Sequence, residues 1–260
     1  MNLYRMDLHI HSVLSPCAEL DMGAIDIVEK CVSEKIDIIA VTDHNSTKNS
    51  RAVAKAAMGR PLEVICGLEV QSSEDIHILS LFPDHTMASD FEGWVNNRLP
   101  RIPNRPDRFG EQLIIDENNL VTGEVEFLLL QGIDATADEI IQMTARSGGT
   151  SVLAHIDRPA YSYVAVLGMI PADLCVDAVE LSGRLSREDS LFWRQQAGGR
   201  TVIRSSDAHR LDDVSIERTT PVLLEQPCLG EIYMALHGLE GRKILWPWDD
   251  GTPTQGACQC

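Results

Sequence analysis

Apolar positions along this chain fall in short continuous runs, separated by stretches with a helical period. RMDLHIH, IDIIAVTDH, EVICGLEV, IHILSLF, TSVLAHI, DAVELS and RTVIRSSDAH read as strands covered on both faces, as in a parallel sheet. Between them, DMGAIDIVEKCVSEK sets Ile25, Val28, Cys31 and Val32 near one helical face, with Asp21 placed as N-cap. TADEIIQMTARSGG and SREDSLFWRQQAGG each carry acids in the first turn and a glycine stop, the charge and backbone arrangement that a helix dipole and a C-terminal cap favour. Strand then helix, many times over, predicts an α/β fold: a parallel sheet with helices outside, able to close as a barrel.

The alternation breaks between Asp84 and Asp134. NNRLPRIPNRPDRFG reads as irregular chain, and EQLIIDENNLVTGEVEFLLL offers two β-prone runs around Glu117-Asn118-Asn119, a hairpin signal. Residues 84–134 are therefore expected to be an insertion after the fourth strand, set over an active site. Residues 1–248 are expected to form one domain, and 249–260, ending in Cys-Gln-Cys, a loose polar tail.

Composition narrows the classes. No apolar run approaches the roughly 20 residues that span a bilayer, and the N-terminus lacks a basic region followed by an apolar stretch, so a cytoplasmic protein with no membrane partner is expected. Seven cysteines, odd in number and without a C-x-x-C pair, exclude a disulfide framework or a structural zinc knuckle. The formal charge of −17 repels a polyanion, which disfavours long nucleic acid and leaves room for a small anion. Bound cations would offset clustered carboxylates.

The strand ends carry the candidate chemistry. His9 and His11 stand on the first strand, Asp43 and His44 on the second, Glu69 on the third, His77 on the fourth, His155 on a later one, and Asp207 and His209 on the last. Residues i and i+2 of a strand point the same way, so His9 and His11 can face the centre while Leu8 and Ile10 pack outward. Imidazoles mixed with carboxylates suit Zn²⁺, Mn²⁺ or Fe²⁺. More candidate ligands than one ion needs point to several ions, with Glu69 able to bridge two. One histidine at a strand end is ordinarily a surface or core residue, but six spread over successive ends are not explained by packing. His85 and His237 stand outside the pattern and are assigned to loop and helix surface.

The motifs DLHIHS, AVTDHNS, GLEV, AHIDR and SSDAH resemble, in order, those of the PHP (polymerase and histidinol phosphatase) family, and they span Asp7 to His209. The resemblance implies a distorted (β/α)7 barrel with two or three divalent ions and phosphoester hydrolysis. It implies that His9, His11, Glu69 and Asp207 hold one ion, Glu69, His77 and His155 a second, and that His44 and His209 serve a third. Asp7 and Asp43 would orient ligand imidazoles through their ring N–H groups. Cys17 departs from the family pattern, in which an Asp or His commonly serves the third ion. As a thiolate it would take that place and favour Zn²⁺; as a packed thiol it would leave the third site weak or empty.

The expected reaction is hydrolysis of a phosphate ester by water activated between two ions, with a small phosphorylated metabolite or nucleotide as substrate. Arg158 and Arg210 are candidate phosphate clamps, each with a surface ion pair as the alternative. The alternatives carried forward are a nucleic-acid exonuclease, an amidohydrolase-type hydrolase and a non-catalytic, metal-stabilised interaction module. Amidohydrolase barrels share H-x-H and a strand-terminal Asp, but no strand-end lysine is present here to carry a bridging carbamate.

Overall fold

The computed structural model describes residues 1–247; the expected tail, with its Cys-Gln-Cys, lies outside the described residues. In chain order the elements are β1 (Asn2–Ile10), α1 (Ala24–Ser33), β2 (Ile38–Val41), α2 (Ser50–Ala56), β3 (Glu63–Gln71) and β4 (His77–Phe82). Next come α3 (His85–Asn96), α4 (Pro106–Phe109), β5 (Leu113–Ile115), β6 (Val121–Glu124), α5 (Ala137–Arg146) and β7 (Thr150–Leu153). The last are α6 (Tyr163–Leu167), β8 (Ala178–Ser182), α7 (Arg187–Gln196), β9 (Val202–Ser205), β10 (Thr220–Leu224), α8 (Leu229–Leu236) and β11 (Lys243–Ile244).

Nine strands form one sheet in the order β11-β10-β1-β2-β3-β4-β7-β8-β9. The chain after β9 returns to β1, where Ala208 bridges Ile10 and His11 N–H donates to the Ala208 carbonyl at 3.0 Å. Seven strands thereby nearly close a barrel, and β10 and β11 extend it antiparallel beside the first half of β1. Met6, Leu8, Ile38, Ile65, Leu79, Val152, Ala178 and Ile203, drawn from all seven barrel strands, fill its interior. Helices cover the outside, α1 and α2 over Ile39 and Val41, and α3 and α5 over Leu68, Val70 and Ile78. The α/β barrel of the sequence reading is the architecture observed, and no described helix is long and apolar enough to cross a membrane.

Three local departures shape the site. First, β4 runs antiparallel to both β3 and β7, not parallel. The connection closes as a tight turn, with Ser72 N–H donating to the Ile76 carbonyl at 2.8 Å, and a parallel return needs a crossover of about a dozen residues. His77 therefore sits at the start of its strand, opposite Gln71, at the end of the barrel where the other strands finish.

Second, β1 is bulged. Asp7 pairs with Ile39 and Ile10 with Val41, three steps against two. Leu8 shares the barrel interior with Met6 by alternation, and the bulge turns Ile10 to the other side, so of the expected outward pair only Ile10 packs outside.

Third, the segment after Asp84 is more ordered than its composition suggests. Asp84 caps α3 by accepting from Thr86 and Met87 N–H, and a hairpin forms from β5 and β6. Asn119 at the hairpin turn caps α1 from a distance: its Oδ1 accepts from Ile25 N–H at 3.0 Å and its Nδ2 donates to Asp26 at 2.7 Å. The N-cap position of α1 is Gly23, not Asp21. Leu113 N–H also donates to the Val13 carbonyl at 3.1 Å, so the hairpin rests on the β1–α1 loop.

Candidate metal centre

Glu69 is the hub of the buried polar cluster at the barrel end. Its Oε1 lies 2.8 Å from His77 Nδ1, 3.1 Å from His155 Nε2 and 3.2 Å from His9 Nε2. Its Oε2 lies 3.0 Å from His44 Nδ1 and 3.4 Å from His11 Nε2. Asp207 Oδ1 approaches His11 Nε2 at 3.1 Å and His9 Nε2 at 3.3 Å. His209 stacks on His11 with ring centroids 4.3 Å apart and is the cluster's most exposed imidazole. Asn45, His155 and Asp207, each just past the end of a barrel strand, hold positive φ of 51°, 29° and 47°. Such backbone strain is characteristic of sites where side-chain direction matters more than stability.

Hydrogen bonds behind the cluster fix the imidazole tautomers. Ser15 Oγ gives its proton to Asp43 Oδ1 at 2.6 Å, so at 2.9 Å it accepts from His11 Nδ1. His9 Nδ1 donates to Glu180 Oε1 at 3.0 Å. Both Nε2 atoms are then bare lone pairs, 3.1 Å apart and surrounded by carboxylate oxygens. Acceptors facing acceptors in a dry site require cations between them.

Without an ion, protons take that part unevenly. Burial lowers the pKa of His9, but Asp207, Glu180 and Glu69 outweigh it and hold His9 well above its ordinary value. Burial, helped by the neighbouring His209 and His44, drives His11 well below. His77 is pulled down to about 4, chiefly by burial. Burial pushes Glu69 and Asp207 up, yet the imidazoles hold both well below the usual carboxylate range.

The donor set fits borderline divalent ions. Three groups, His9-His11-Glu69, His44-Glu69-His77 and His11-His44-His209, each bring their ligand atoms within 4.8 Å of one another. His44 thus stands closer to Glu69 and His77 than the sequence reading placed it, and His155 reaches the cluster through Glu69. Cys17 is exposed as a residue, but its thiol turns inward toward His44 and His209.

Other expected roles change. Asp7 orients no imidazole: its Oδ1 accepts from the backbone N–H of Ser206 at 3.0 Å and of His9 at 3.3 Å, pinning the β1–β9 seam. Asp43 acts one step removed, through Ser15. Glu180, the direct partner of His9, went unread, although an acid in the middle of DAVELS is a signal of its own. Arg158 Nη2 contacts Asp207 Oδ2 at 2.5 Å, at the cluster. Arg210 lies at the surface, with its Nε 3.6 Å from Glu19 and 3.7 Å from Asp213. His85 begins α3, and His237 bonds Asp177 at the end of α8, both away from the cluster.

Comparison with known proteins gives a family and a set of folds. The profile described as PHP domain matches residues 7–167. A lesion-specific endonuclease, PfuEndoQ from Pyrococcus furiosus, superposes with TM-score 0.70 at 19% identity, covering 94% of this chain and 58% of its own. An Endonuclease Q complex with a 27-mer duplex bearing an abasic lesion at the active site gives TM-score 0.64 at 19% identity, with 94% and 58% covered. An amidohydrolase from Chromobacterium violaceum with bound sulfate gives 0.61 at 20% identity, covering 95% and 99%. No curated protein sequence gives a significant match. The chain spans about 58% of the endonuclease chains, and the likeness is one of fold.

The expected preference for a small phosphorylated substrate over long nucleic acid is overturned by these neighbours of like fold, one of them an Endonuclease Q solved in complex with a 27-mer duplex. Net charge averages the whole surface and does not describe the one face on which the cluster lies.

Proposed function

The chain belongs to the PHP domain family, and from that premise we propose that it hydrolyses phosphodiester bonds in nucleic acid, using divalent ions held around Glu69. The observation that carries this reading is the acceptor-only cluster of His9, His11, Glu69 and Asp207, with tautomers set by Ser15 and Glu180. His44, His77 and His155 would complete a second ion's surroundings through Glu69, and His11, His44 and His209, with Cys17 beside them, a third. Divalent ions bound there would supply a water of lowered pKa and offset the charge that builds on phosphorus.

The chain's own residues do the positioning. Arg158 is 41% exposed while touching Asp207, so its guanidinium can turn from that carboxylate to a phosphoryl oxygen. Tyr161, 48% exposed and held at φ 58°, stacks on His77 with centroids 4.8 Å apart. It offers an unstacked base a flat aromatic platform beside the His77 end of the cluster. The endonuclease folds support a nucleic-acid substrate over an amide. No lysine of the described chain enters the cluster, so a carbamate-bridged amidohydrolase centre would lack its bridge.

The test is a panel of labelled oligonucleotides, single-stranded, intact duplex and abasic duplex, incubated with Mn²⁺ or Zn²⁺ beside a set of N-acyl amides. Cleavage of an oligonucleotide is expected, with Asp207→Asn slower by at least about 100-fold. Amide turnover with every oligonucleotide intact would overturn the proposal.

A further inference from the structure

A cavity of about 680 Å³ opens where the barrel fails to close, between the end of β8, β9 and the segment leading into β10. Four arginines line it: Arg5 from β1, Arg184 after β8, Arg204 on β9 and Arg218 before β10. In a chain with 39 acids against 22 basic residues, this is a local reversal of charge. The acids around them are Glu217, which lines the cavity, Asp213, which binds Arg184 and, at 2.9 Å, Arg218, and Asp37 and Glu34, which accept from the backbone N–H of Arg5 and Ile216 at 2.7 and 3.4 Å. Among the lining residues themselves, four arginines stand against one carboxylate, Glu217.

Three of the four arginines are fixed by neighbouring groups. Arg204 is 3% exposed, and its Nη2 donates to the Gly183 carbonyl at 2.5 Å. Arg218 is fixed by the carboxylate and the carbonyl of Asp213, at 2.9 and 2.8 Å. The half-buried guanidinium of Arg5 has no hydrogen bond or ion pair among the described residues. Guanidinium forks in this density match the paired oxygens of a phosphodiester.

A chain of contacts ties the cavity to the metal cluster. Arg210, next to His209, reaches Asp213 at 3.7 Å, and Asp213 holds Arg218 and Arg184. Arg210 and Asp213 therefore link the end of the cluster, at His209, to the arginines of the cavity. We propose that the arginine cavity binds a backbone phosphate of the same nucleic acid whose scissile phosphodiester lies at the cluster, away from the point of cleavage. This rests on the nucleic-acid reading above and extends it to a second contact.

The experiment is fluorescence anisotropy of metal-loaded protein with a phosphorothioate duplex that resists cleavage, repeated across a salt series. Arg5→Gln and Arg184→Gln are each expected to weaken binding about tenfold and to reduce the salt slope by about one. Arg5→Lys, which keeps the charge, is expected to keep the slope. Cleavage of an oligonucleotide too short to span both places should be unchanged in all three. Wild-type protein that binds no duplex overturns the nucleic-acid reading together with this inference. Wild-type binding that both glutamine variants retain, at unchanged slope, overturns the inference alone.

Discussion

Ser15 gives its one proton to Asp43 and accepts from His11 Nδ1 and the His44 backbone N–H, and that decides which nitrogen of His11 is free. Ser15→Ala is expected to weaken metal binding about 10–100-fold, measured by competition with a chromophoric chelator, because the imidazole loses its preferred tautomer. Glu180→Leu should do the same through His9, whereas Glu180→Gln, which keeps an acceptor, should cost less. Cys17 offers a second test at this scale. Burial pushes its thiol up, but His44 and His209 outweigh that and bring it to about 7. In chelated protein its alkylation should be half-maximal near pH 7 and fall as the thiolate is protonated below that. Zn²⁺ is expected to protect it; alkylation unchanged by Zn²⁺ counts against a thiolate ligand. The histidines were legible in sequence because they repeat at strand ends. Ser15 was not, since a serine in HSVLSP reads as turn chemistry until the fold sets it beneath His11.

Elements were read from periodicity more securely than their directions were. The run containing His77 announced a strand, but the turn Ser72–Ile76 carries no glycine or Asn-Gly signal to mark a hairpin. Asp75 supplies the left-handed position instead, at φ 64°. The β1 bulge was equally hidden, because an extra residue in a ladder leaves the apolar count of the strand unchanged. The cap on α1 comes from Asn119, nearly a hundred positions away, and no local pattern reports such a partner. Gly110 binds the hairpin segment to the β1–α1 loop: it holds φ 101°, and a Cβ there would lie 2.0 Å from the Pro16 carbonyl oxygen. Gly110→Ala is expected to lower stability by about 1–3 kcal/mol in urea titration. Because Pro16 lies between Ser15 and Cys17, the same change should weaken metal binding as well.

Across the whole molecule, a formal charge of −17 says little about the face that meets substrate. The histidines and carboxylates that could hold ions gather at the barrel end, and four arginines at its open seam. The barrel was legible because strands and helices alternate. The seam was not, because it depends on how far β10 displaces β9 from β1. The most direct measurement follows cleavage of a labelled duplex by chelated protein as Mn²⁺ or Zn²⁺ is restored. No cleavage is expected without ions, with the rate rising as the ions bind and Glu69→Gln inactive throughout. Cleavage that is equally fast in chelated protein and in Glu69→Gln would contradict the account.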